Sequence, residues 1–402
     1  MDPKHFLKNS AFVILAVSAM SVLFNFFMDP YLIFGIPRTT GVNARKPAVE
    51  NQLFLMKAYD ALRAHPRTLI IGSSSVGLGI NPESPVWPEA MRPVYNLGVP
   101  NGRPLEAYRY LQHVMVRDHP TVIILGLEFR DVVPYSGFTR PEYDSRLAVT
   151  QDGTPNTALE RQRTYDMLRA TLSIDASVDS IDTLFGNLVG DSSDIDQGGW
   201  DHRPYRHLTY LVGAYPVMVI SDIHYSAVYS SDATTVDMGP LDQVRAILDL
   251  CREQQINAIV VMDPGHADEQ EIFDLSGKWP ALEEWKRKLT TLVAEYANKG
   301  MHVELWDFYG YDAYSTEPVP KSHQALQWFL NPAHYTRALG DIVLRRLFVG
   351  GDNSFGVRLF PENIENHLSD IRNAQASYRK FQPADAARVR EIYTRVTTAH
   401  SG

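Results

Sequence analysis

Short apolar runs alternate along the chain with segments whose apolar residues recur at helical spacing. Five of these runs predict strands: TLIIG (68–72), PVYNLG (93–98), TVIILGL (121–127), NAIVVM (257–262) and HVELWDF (302–308). Continuous apolar strands are typical of parallel sheets that helices cover on both faces. Helices are predicted over 104–116, 241–255, 280–300 and about 333–348. The pattern therefore predicts an α/β fold, a three-layer α/β/α sandwich with a parallel sheet.

Two regions depart from this alternation. Residues from about 130 to 240 are polar and rich in Asp and Ser, with one predicted helix over 158–172, and we interpret them as an insertion. Two helical stretches at the C-terminus form a predicted appendix over 351–402. The α/β domain is therefore predicted to span 36–350, after an N-terminal segment of residues 1–35.

The N-terminal segment holds an almost unbroken apolar run, AFVILAVSAMSVLFNFFM, over residues 11–28. As a helix it is about 27 Å long at about 1.5 Å per residue, close to the hydrocarbon thickness of a bilayer. Asn25 is its only strongly polar member, and Lys4 and Lys8 precede it. This charge bias predicts a single-pass protein of the inner (cytoplasmic) membrane, with its globular part in the periplasm or outside the cell. A cleaved signal peptide is the alternative, because AVSA offers small residues.

Composition narrows the function classes. The 402 residues carry a formal net charge of −9 and contain no dense block of Lys and Arg, so the sequence has no electrostatic footprint for nucleic acid. Cys251 is the only cysteine, which excludes an intrachain disulfide and a cysteine-based zinc site. The histidines lack a convincing third ligand for a metal. We predict neither a metal nor another cofactor.

The strongest candidate chemistry lies at three strand or helix ends. A glycine and three serines follow the first strand, and a serine at such a turn is either a nucleophile or a helix cap. Gly98 ends the second strand, where a glycine lets the backbone approach a ligand. His334 follows Asn331 in NPAHY, and a neutral imidazole there suits a general base. The alternative for Asn331 is a helix cap, with Pro332 as the first helical residue.

In this order, the residues resemble the blocks of the SGNH, or GDSL-like, hydrolase superfamily. The resemblance makes Ser74 the nucleophile, Ser73 the occupant of the position usually held by Asp, Gly98 the oxyanion glycine and His334 the catalytic histidine. The chain is most similar to membrane-anchored periplasmic members that act beside membrane-bound O-acyltransferases in polysaccharide acetylation. That similarity extends to DPY (29–31), IIGSS (70–74), DPGHA (263–267), LWDFYGY (305–311) and HYTRALGD (334–341).

Two positions depart from the family pattern. Glu128 stands where the family often has an Asn, and an ionised carboxylate only accepts hydrogen bonds, so it cannot supply an oxyanion donor. Asn101 or backbone amides, including that of Ser74, are candidates to replace it. Asn331 stands where the family has an Asp, and an amide orients an imidazole without offsetting its charge.

Other polar residues are predicted near the same crevice. Asp307 and Asp263 each end a strand and are candidates for the missing negative charge. His266 follows a strand in DPGHA and is a further supporting candidate. These residues complete the predicted site.

The resemblance implies transfer of an acyl group, which in the family is acetyl, to or from hydroxyls of an exported polysaccharide. The chain would then be a serine-dependent O-acetyltransferase or acetylesterase with a membrane-bound O-acyltransferase as partner. The alternative hypothesis is a non-catalytic, glycan-binding or scaffolding subunit of such a complex.

Overall fold

The computed structural model describes residues 3–133, 144–189, 218–224, 237–320, 326–351 and 353–400. Parts of the predicted insertion therefore lie outside the described residues. The chain forms two compact units, one of Met1–Ala64 with Pro141–Arg206 and the other of His65–Arg140 with His207–Gly402. The first unit thus joins the N-terminal segment to part of the predicted insertion.

The α-helices, in chain order, are α1 (Pro3–Met28), α2 (Leu53–Ala64), α3 (Ser74–Gly79), α4 (Pro104–Met115), α5 (Leu159–Leu172), α6 (Ile174–Val189), α7 (Pro240–Glu253), α8 (Ala267–Leu275), α9 (Trp279–Asn298), α10 (Arg337–Phe348), α11 (Ile364–Phe381) and α12 (Pro383–His400). The strands are β1 (Thr68–Ile71), β2 (Val94–Asn96), β3 (Val122–Leu127), β4 (Asn257–Met262), β5 (Val303–Asp307), β6 (Phe329–Asn331), β7 (His334–Tyr335) and β8 (Val357–Arg358).

A six-stranded sheet forms the centre of the second unit, in the order β2-β1-β3-β4-β5-β8. Strands β1 to β5 pair in parallel, and β8 pairs antiparallel with β5. All residues of β1, β2 and β3 are buried, as their apolar runs require. The α/β class and the five parallel strands are therefore confirmed. The sixth strand comes from the segment that we predicted to be a separate C-terminal appendix.

The predicted helix over 333–348 begins later than expected. It is α10, which starts at Arg337 with Thr336 as its N-cap. Residues 334–335 instead form β7, the second strand of a small antiparallel hairpin with β6. The asparagine before Pro332 is therefore not a helix cap, and His334 lies on a strand.

The first unit is built around α1, which is long and apolar enough to cross a membrane. Its last turn is followed by Asp29, whose carboxylate accepts hydrogen bonds from the main-chain N–H groups of residues 33–36. Helices α5 and α6 pack against α1. Helix α5 is the one predicted over 158–172, whereas α6 was not predicted.

Candidate active site

The glycine and serines after β1 make a sharp turn into α3. Gly72 has φ +149°, and a Cβ there would lie 2.7 Å from the carbonyl oxygen of Gly126, so the turn requires glycine. Ser73 is the N-cap of α3: its Oγ accepts a hydrogen bond from the N–H of Ser75 at 3.0 Å. The same hydroxyl donates to Glu128 Oε1 at 2.8 Å. The capping interpretation is therefore correct for the first serine.

The second serine has a different partner. Ser74 Oγ lies 2.7 Å from His334 Nε2, across 260 residues of sequence. Both side chains are half-buried and line the same cleft. Ser75 Oγ donates to the carbonyl oxygen of Ala333 at 3.1 Å and so holds the loop that carries the histidine. The structure thus brings the predicted nucleophile and base together.

Asn331 determines which nitrogen of His334 carries the proton. Its Oδ1 accepts the main-chain N–H groups of Ala333 and His334, each at 3.0 Å. Because two donors meet at this atom, it must be the oxygen of the amide. His334 Nδ1, 2.8 Å from the same oxygen, is therefore the protonated nitrogen. Nε2 therefore carries no proton and accepts the hydrogen bond of the Ser74 hydroxyl, as a general base requires.

His266 supports this loop but does not line the cleft. Its main-chain N–H donates to the carbonyl oxygen of Pro332 at 2.9 Å. Its ring is buried, with Nε2 2.7 Å from the carbonyl oxygen of Glu317 and Nδ1 accepting the N–H of Asp268 at 3.1 Å. His266 therefore caps α8 and helps to position the segment before His334.

The cleft around Ser74 has a volume of about 330 Å³. Its walls come from the turn after β1, the loop before α4, the segment after β3, the helical segment 218–224 and the hairpin of β6 and β7. The lining residues are Ser73, Ser74, Asn101, Gly102, Arg103, Glu128, Arg130, Asp131, Met218, Ser221, Asp222, Ala333 and His334. The lining is mostly polar and contains both signs of charge.

Two of the three predicted oxyanion donors line this cleft. The N–H of Ser74 is the first of α3 and has no acceptor within that helix. Asn101, an exposed residue with φ +51°, lines the cleft. The N–H of Gly98 instead donates to Asn96 Oδ1 at 2.8 Å. A Cβ at Gly98 would lie 2.6 Å from the carbonyl oxygen of Ser73, so this glycine is needed for close packing behind the turn.

Neither predicted aspartate orients the histidine. Asp263 is buried and accepts a hydrogen bond at Oδ1 from the hydroxyl of Tyr335 at 2.9 Å. Burial and the charge of Glu128 raise the pKa of Asp263 well above its ordinary value. This aspartate is therefore bonded to the tyrosine and not to His334.

Asp307 belongs to a separate buried ion pair. Its Oδ2 lies 2.5 Å from Lys286 Nζ and 2.8 Å from His367 Nε2. Burial opposes the charge of this aspartate, but Lys286 and His367 outweigh it and lower the pKa of Asp307 to about 2. Asp307 thus stabilises the fold at the end of β5 and does not contact His334.

Sequence analysis missed the charged residues that line the cleft with Ser74, which are Arg130, Asp131 and Asp222. Arg130 Nη2 lies 3.0 Å from Asp222 Oδ1, and Arg130 also pairs with Glu269 of α8. Burial, with the charge of Glu128, raises the pKa of Asp131 to about 8. The position of Arg130 and Asp131 in the sequence could have indicated this role, because they follow the carboxyl end of β3, where ligands bind in α/β folds.

The described part of the chain contains no cluster of three His, Cys, Asp or Glu residues that suits a metal ion. Neither the protein-family models nor the curated proteins contain a match to this chain. Function is therefore inferred from the residues and the geometry of the cleft.

Proposed function

We propose that this protein transfers an acyl group, most simply acetyl, to or from the hydroxyls of an extracytoplasmic polysaccharide, as an SGNH-type serine enzyme. The observation that carries the proposal is the 2.7 Å contact between Ser74 Oγ and His334 Nε2, with the tautomer set by Asn331. A serine and a correctly protonated histidine in an open cleft are the parts that covalent acyl transfer needs.

The reaction would proceed in two halves. His334 Nε2 takes the proton of Ser74 as Oγ bonds to the carbonyl carbon of an acyl ester. The bond to the leaving oxygen then breaks, and that oxygen receives the proton from Nε2. A sugar hydroxyl next attacks the acyl-serine, gives its proton to Nε2 and releases Ser74, which recovers the proton. The N–H of Ser74 and the amide of Asn101 are the candidate donors to the oxyanion.

Water in place of the sugar would make the same machinery an esterase. The cleft volume of about 330 Å³ leaves room for an acetyl ester beside part of a sugar. Its polar lining suits hydroxyl-rich ligands better than a long acyl chain. Export of the cleft would follow from α1 crossing the inner membrane with its N-terminus in the cytoplasm.

Ser74→Ala tests the proposal. We expect it to abolish hydrolysis of p-nitrophenyl acetate and covalent labelling by a fluorophosphonate, while the thermal melting curve stays close to that of the wild type. Ser377→Ala, which removes an exposed helix hydroxyl, is the matched control and should retain both activities. Equal turnover and labelling in the Ser74→Ala protein would refute a serine mechanism.

One observation favours a second candidate, a non-catalytic glycan-binding or scaffolding subunit. The group that orients His334 is the neutral amide of Asn331, which does not offset the charge of an imidazolium. Polymer acetylation in cells distinguishes the two functions. Acetylation that survives Ser74→Ala but is lost on deletion of the gene would favour the scaffold.

A further inference from the structure

The helical hairpin of α5 and α6 carries an apolar face that its own unit leaves exposed. We call it the apolar hairpin face; its members are Tyr165, Leu168 and Leu172 on α5 and Ile174, Val178, Ile181, Phe185 and Leu188 on α6. Each of these side chains is between 45% and 81% exposed. Spacings of three and four residues place the members of each helix on one side. Exposed apolar side chains gathered along two neighbouring helices mark a site of contact with a membrane or another protein.

Hydrogen bonds attach the turn of this hairpin to α1. Asn25 Nδ2 donates to the carbonyl oxygen of Thr171 at 3.0 Å and to Ser177 Oγ at 2.9 Å. Ser21 Oγ lies 2.9 Å from the same hydroxyl. Asn25 is fully buried by these contacts. The one strongly polar residue of the apolar run is thus paired with the hairpin, as polar groups within membrane-spanning helices are.

These bonds define the depth of the hairpin relative to α1. Ser21 precedes Met28, the end of α1, by seven residues, or about 10 Å along the helix axis. The turn between α5 and α6 is at Ser173, next to the residues that contact Asn25. Asn25 precedes Met28 by only three residues, or about 4.5 Å, so when α1 spans a bilayer the turn lies about 5–10 Å inside its outer end.

The polarity of the hairpin changes with this depth. On the side of α5 that bears the apolar hairpin face, the exposed residues run from Arg161 through Tyr165 to Leu168 and Leu172, so on that side the leucines are closest to the turn. Exposed Arg169 lies beside them and lines a polar cavity. Arginine and tyrosine are typical of a membrane interface, whereas leucine is typical of the hydrocarbon. The gradient matches insertion with the turn deepest.

The carboxylates of α6 do not contradict this orientation. Asp175 and Asp179 line a polar cavity of about 380 Å³, together with Tyr31 and Arg169. Tyr31 donates to Asp179 Oδ2 at 2.5 Å. Ionisable residues at membrane depth face such polar cavities. Val178 of the apolar hairpin face also lines this cavity, so the polar and apolar sides of α6 meet at that residue. Asp182, the third carboxylate of α6, is nine residues from the turn at Ser173, or about 13 Å, and so lies beyond the inserted depth.

We propose that the α5–α6 hairpin dips into the outer leaflet of the bilayer that α1 crosses, with the apolar hairpin face against lipid hydrocarbon. Amphipathic helices commonly bury such faces about 5–10 Å into the interface. Lipid is the occupant because the hairpin packs against α1, whose own residues Leu23 and Phe27 are 56% and 55% exposed and would face lipid when α1 spans the membrane. The inference needs α1 to span the membrane and does not depend on the chemistry of Ser74.

Fluorescent labels test the proposal in the full chain, reconstituted in nanodiscs of phosphatidylethanolamine and phosphatidylglycerol. Ile174→Cys and Leu172→Cys carry an NBD label on the apolar hairpin face beside the turn, and Glu160→Cys, exposed in the first turn of α5, is the matched control. Burial raises the pKa of the native Cys251 thiol to about 12, so it should stay unlabelled. The labelled parent protein checks this.

We expect the labels at 172 and 174 to emit at shorter wavelength than the label at 160, and to be quenched by lipids with doxyl groups on their acyl chains. Aqueous iodide should quench only the control. Quenching of the labels at 172 and 174 by iodide would overturn the proposal. Protection from both quenchers would also overturn it, because a protein, either a second copy or another membrane protein, would then cover the face.

Photo-cross-linking of the wild-type chain to lipid provides a second measurement that needs no substitution. Nanodiscs containing a phosphatidylcholine with a diazirine on its acyl chain cross-link to apolar protein surfaces on illumination. We expect cross-links on peptides covering 168–188 as well as on α1. Cross-links confined to α1 would refute insertion of the hairpin.

Discussion

Replacing Asn331 by aspartate tests both the tautomer and the charge balance of the Ser74–His334 pair. Asn331 Oδ1 accepts three N–H groups, two from the main chain and one from His334 Nδ1. A carboxylate oxygen accepts the same three, so Asn331→Asp should keep the hairpin of β6 and β7. The change that remains is a negative charge 2.8 Å from the imidazole.

That charge favours the imidazolium that forms when His334 takes the proton of Ser74. An opposite charge this close changes a protonation equilibrium by a factor of about 10 to 1,000, or about 1.4–4 kcal/mol. We expect the plateau of kcat/KM to rise by a factor within that range. In a serine-protease triad the reverse exchange costs about 10⁴-fold, but there the asparagine imposes the wrong tautomer. Here the tautomer is already correct, so the gain is smaller.

The assay is hydrolysis of p-nitrophenyl acetate from about pH 5 to about pH 10, since the acid limb of kcat/KM reports the essential base of the free enzyme. Asn331→Asp should move that limb to higher pH, because the carboxylate also stabilises the imidazolium before substrate binds. Asn331→Ala is the control: it removes the acceptor of three donors and should lower the rate at every pH. An unchanged plateau and limb in the aspartate variant would refute the role of His334 as base.

Three further substitutions test the packing and the buried charges of the second unit. The pKa of Asp131 is raised to about 8 from about 4 in the unfolded chain, so its contribution to stability is present below about pH 4 and lost as the pH rises through 8. Asp131→Asn should therefore gain melting temperature over the wild type progressively from about pH 5 to about pH 8, and a constant difference would contradict this. Gly340→Ala would place a Cβ 1.9 Å from the carbonyl oxygen of Gly79 and should cost at least about 1–3 kcal/mol in urea denaturation. Lys286→Met leaves the buried Asp307 without its nearest cation and should cost about 3–5 kcal/mol in the same measurement.

Matched controls separate these effects from those of substitution in general. Asp242→Asn alters an exposed carboxylate in the first turn of α7 and should show no comparable trend with pH. Gly310→Ala places its Cβ 3.5 Å from Ile371, an ordinary contact. Lys288→Met removes an exposed lysine on α9. If Gly310→Ala or Lys288→Met lost as much stability as Gly340→Ala or Lys286→Met, the corresponding explanation, close packing or the buried ion pair, would be wrong.

The central sheet was predictable because each strand is a continuous apolar run bounded by polar residues or glycine. The run over 257–262 is β4 to the residue, and the other four differ from β1, β2, β3 and β5 only at their ends. A strand that is buried on both faces shows no alternation of polar and apolar residues. These strands were therefore recognised by the length of each run and its content of β-branched residues. Helix α6 was missed because it lies within a stretch that is polar and Asp-rich as a whole, although its own apolar residues recur at spacings of three and four.

The start of the last helix was predicted wrongly for a reason in the chemistry of asparagine. A side-chain oxygen that accepts main-chain N–H groups two and three residues later caps a helix, but it equally closes a turn. Asn331 does the latter, since it accepts from Ala333 and His334. The sequence pattern is the same for both, and only the strand pairing of Phe329 with Tyr335 distinguishes them.

The same hairpin explains why the nearby aspartate does not serve the histidine. Parallel strands bring the carboxyl ends of β1, β3 and β4 to one edge, so Ser74, Glu128 and Asp263 were expected to approach one another. Side chains alternate along β7, however, and His334 lines the cleft while Tyr335 is fully buried. Asp263 therefore contacts the tyrosine hydroxyl, and His334 Nδ1 donates to the amide oxygen of Asn331, the residue that closes its own turn. A shift of one residue in β7 would exchange these partners, so the charge state of the candidate site depends on the register of a two-residue strand.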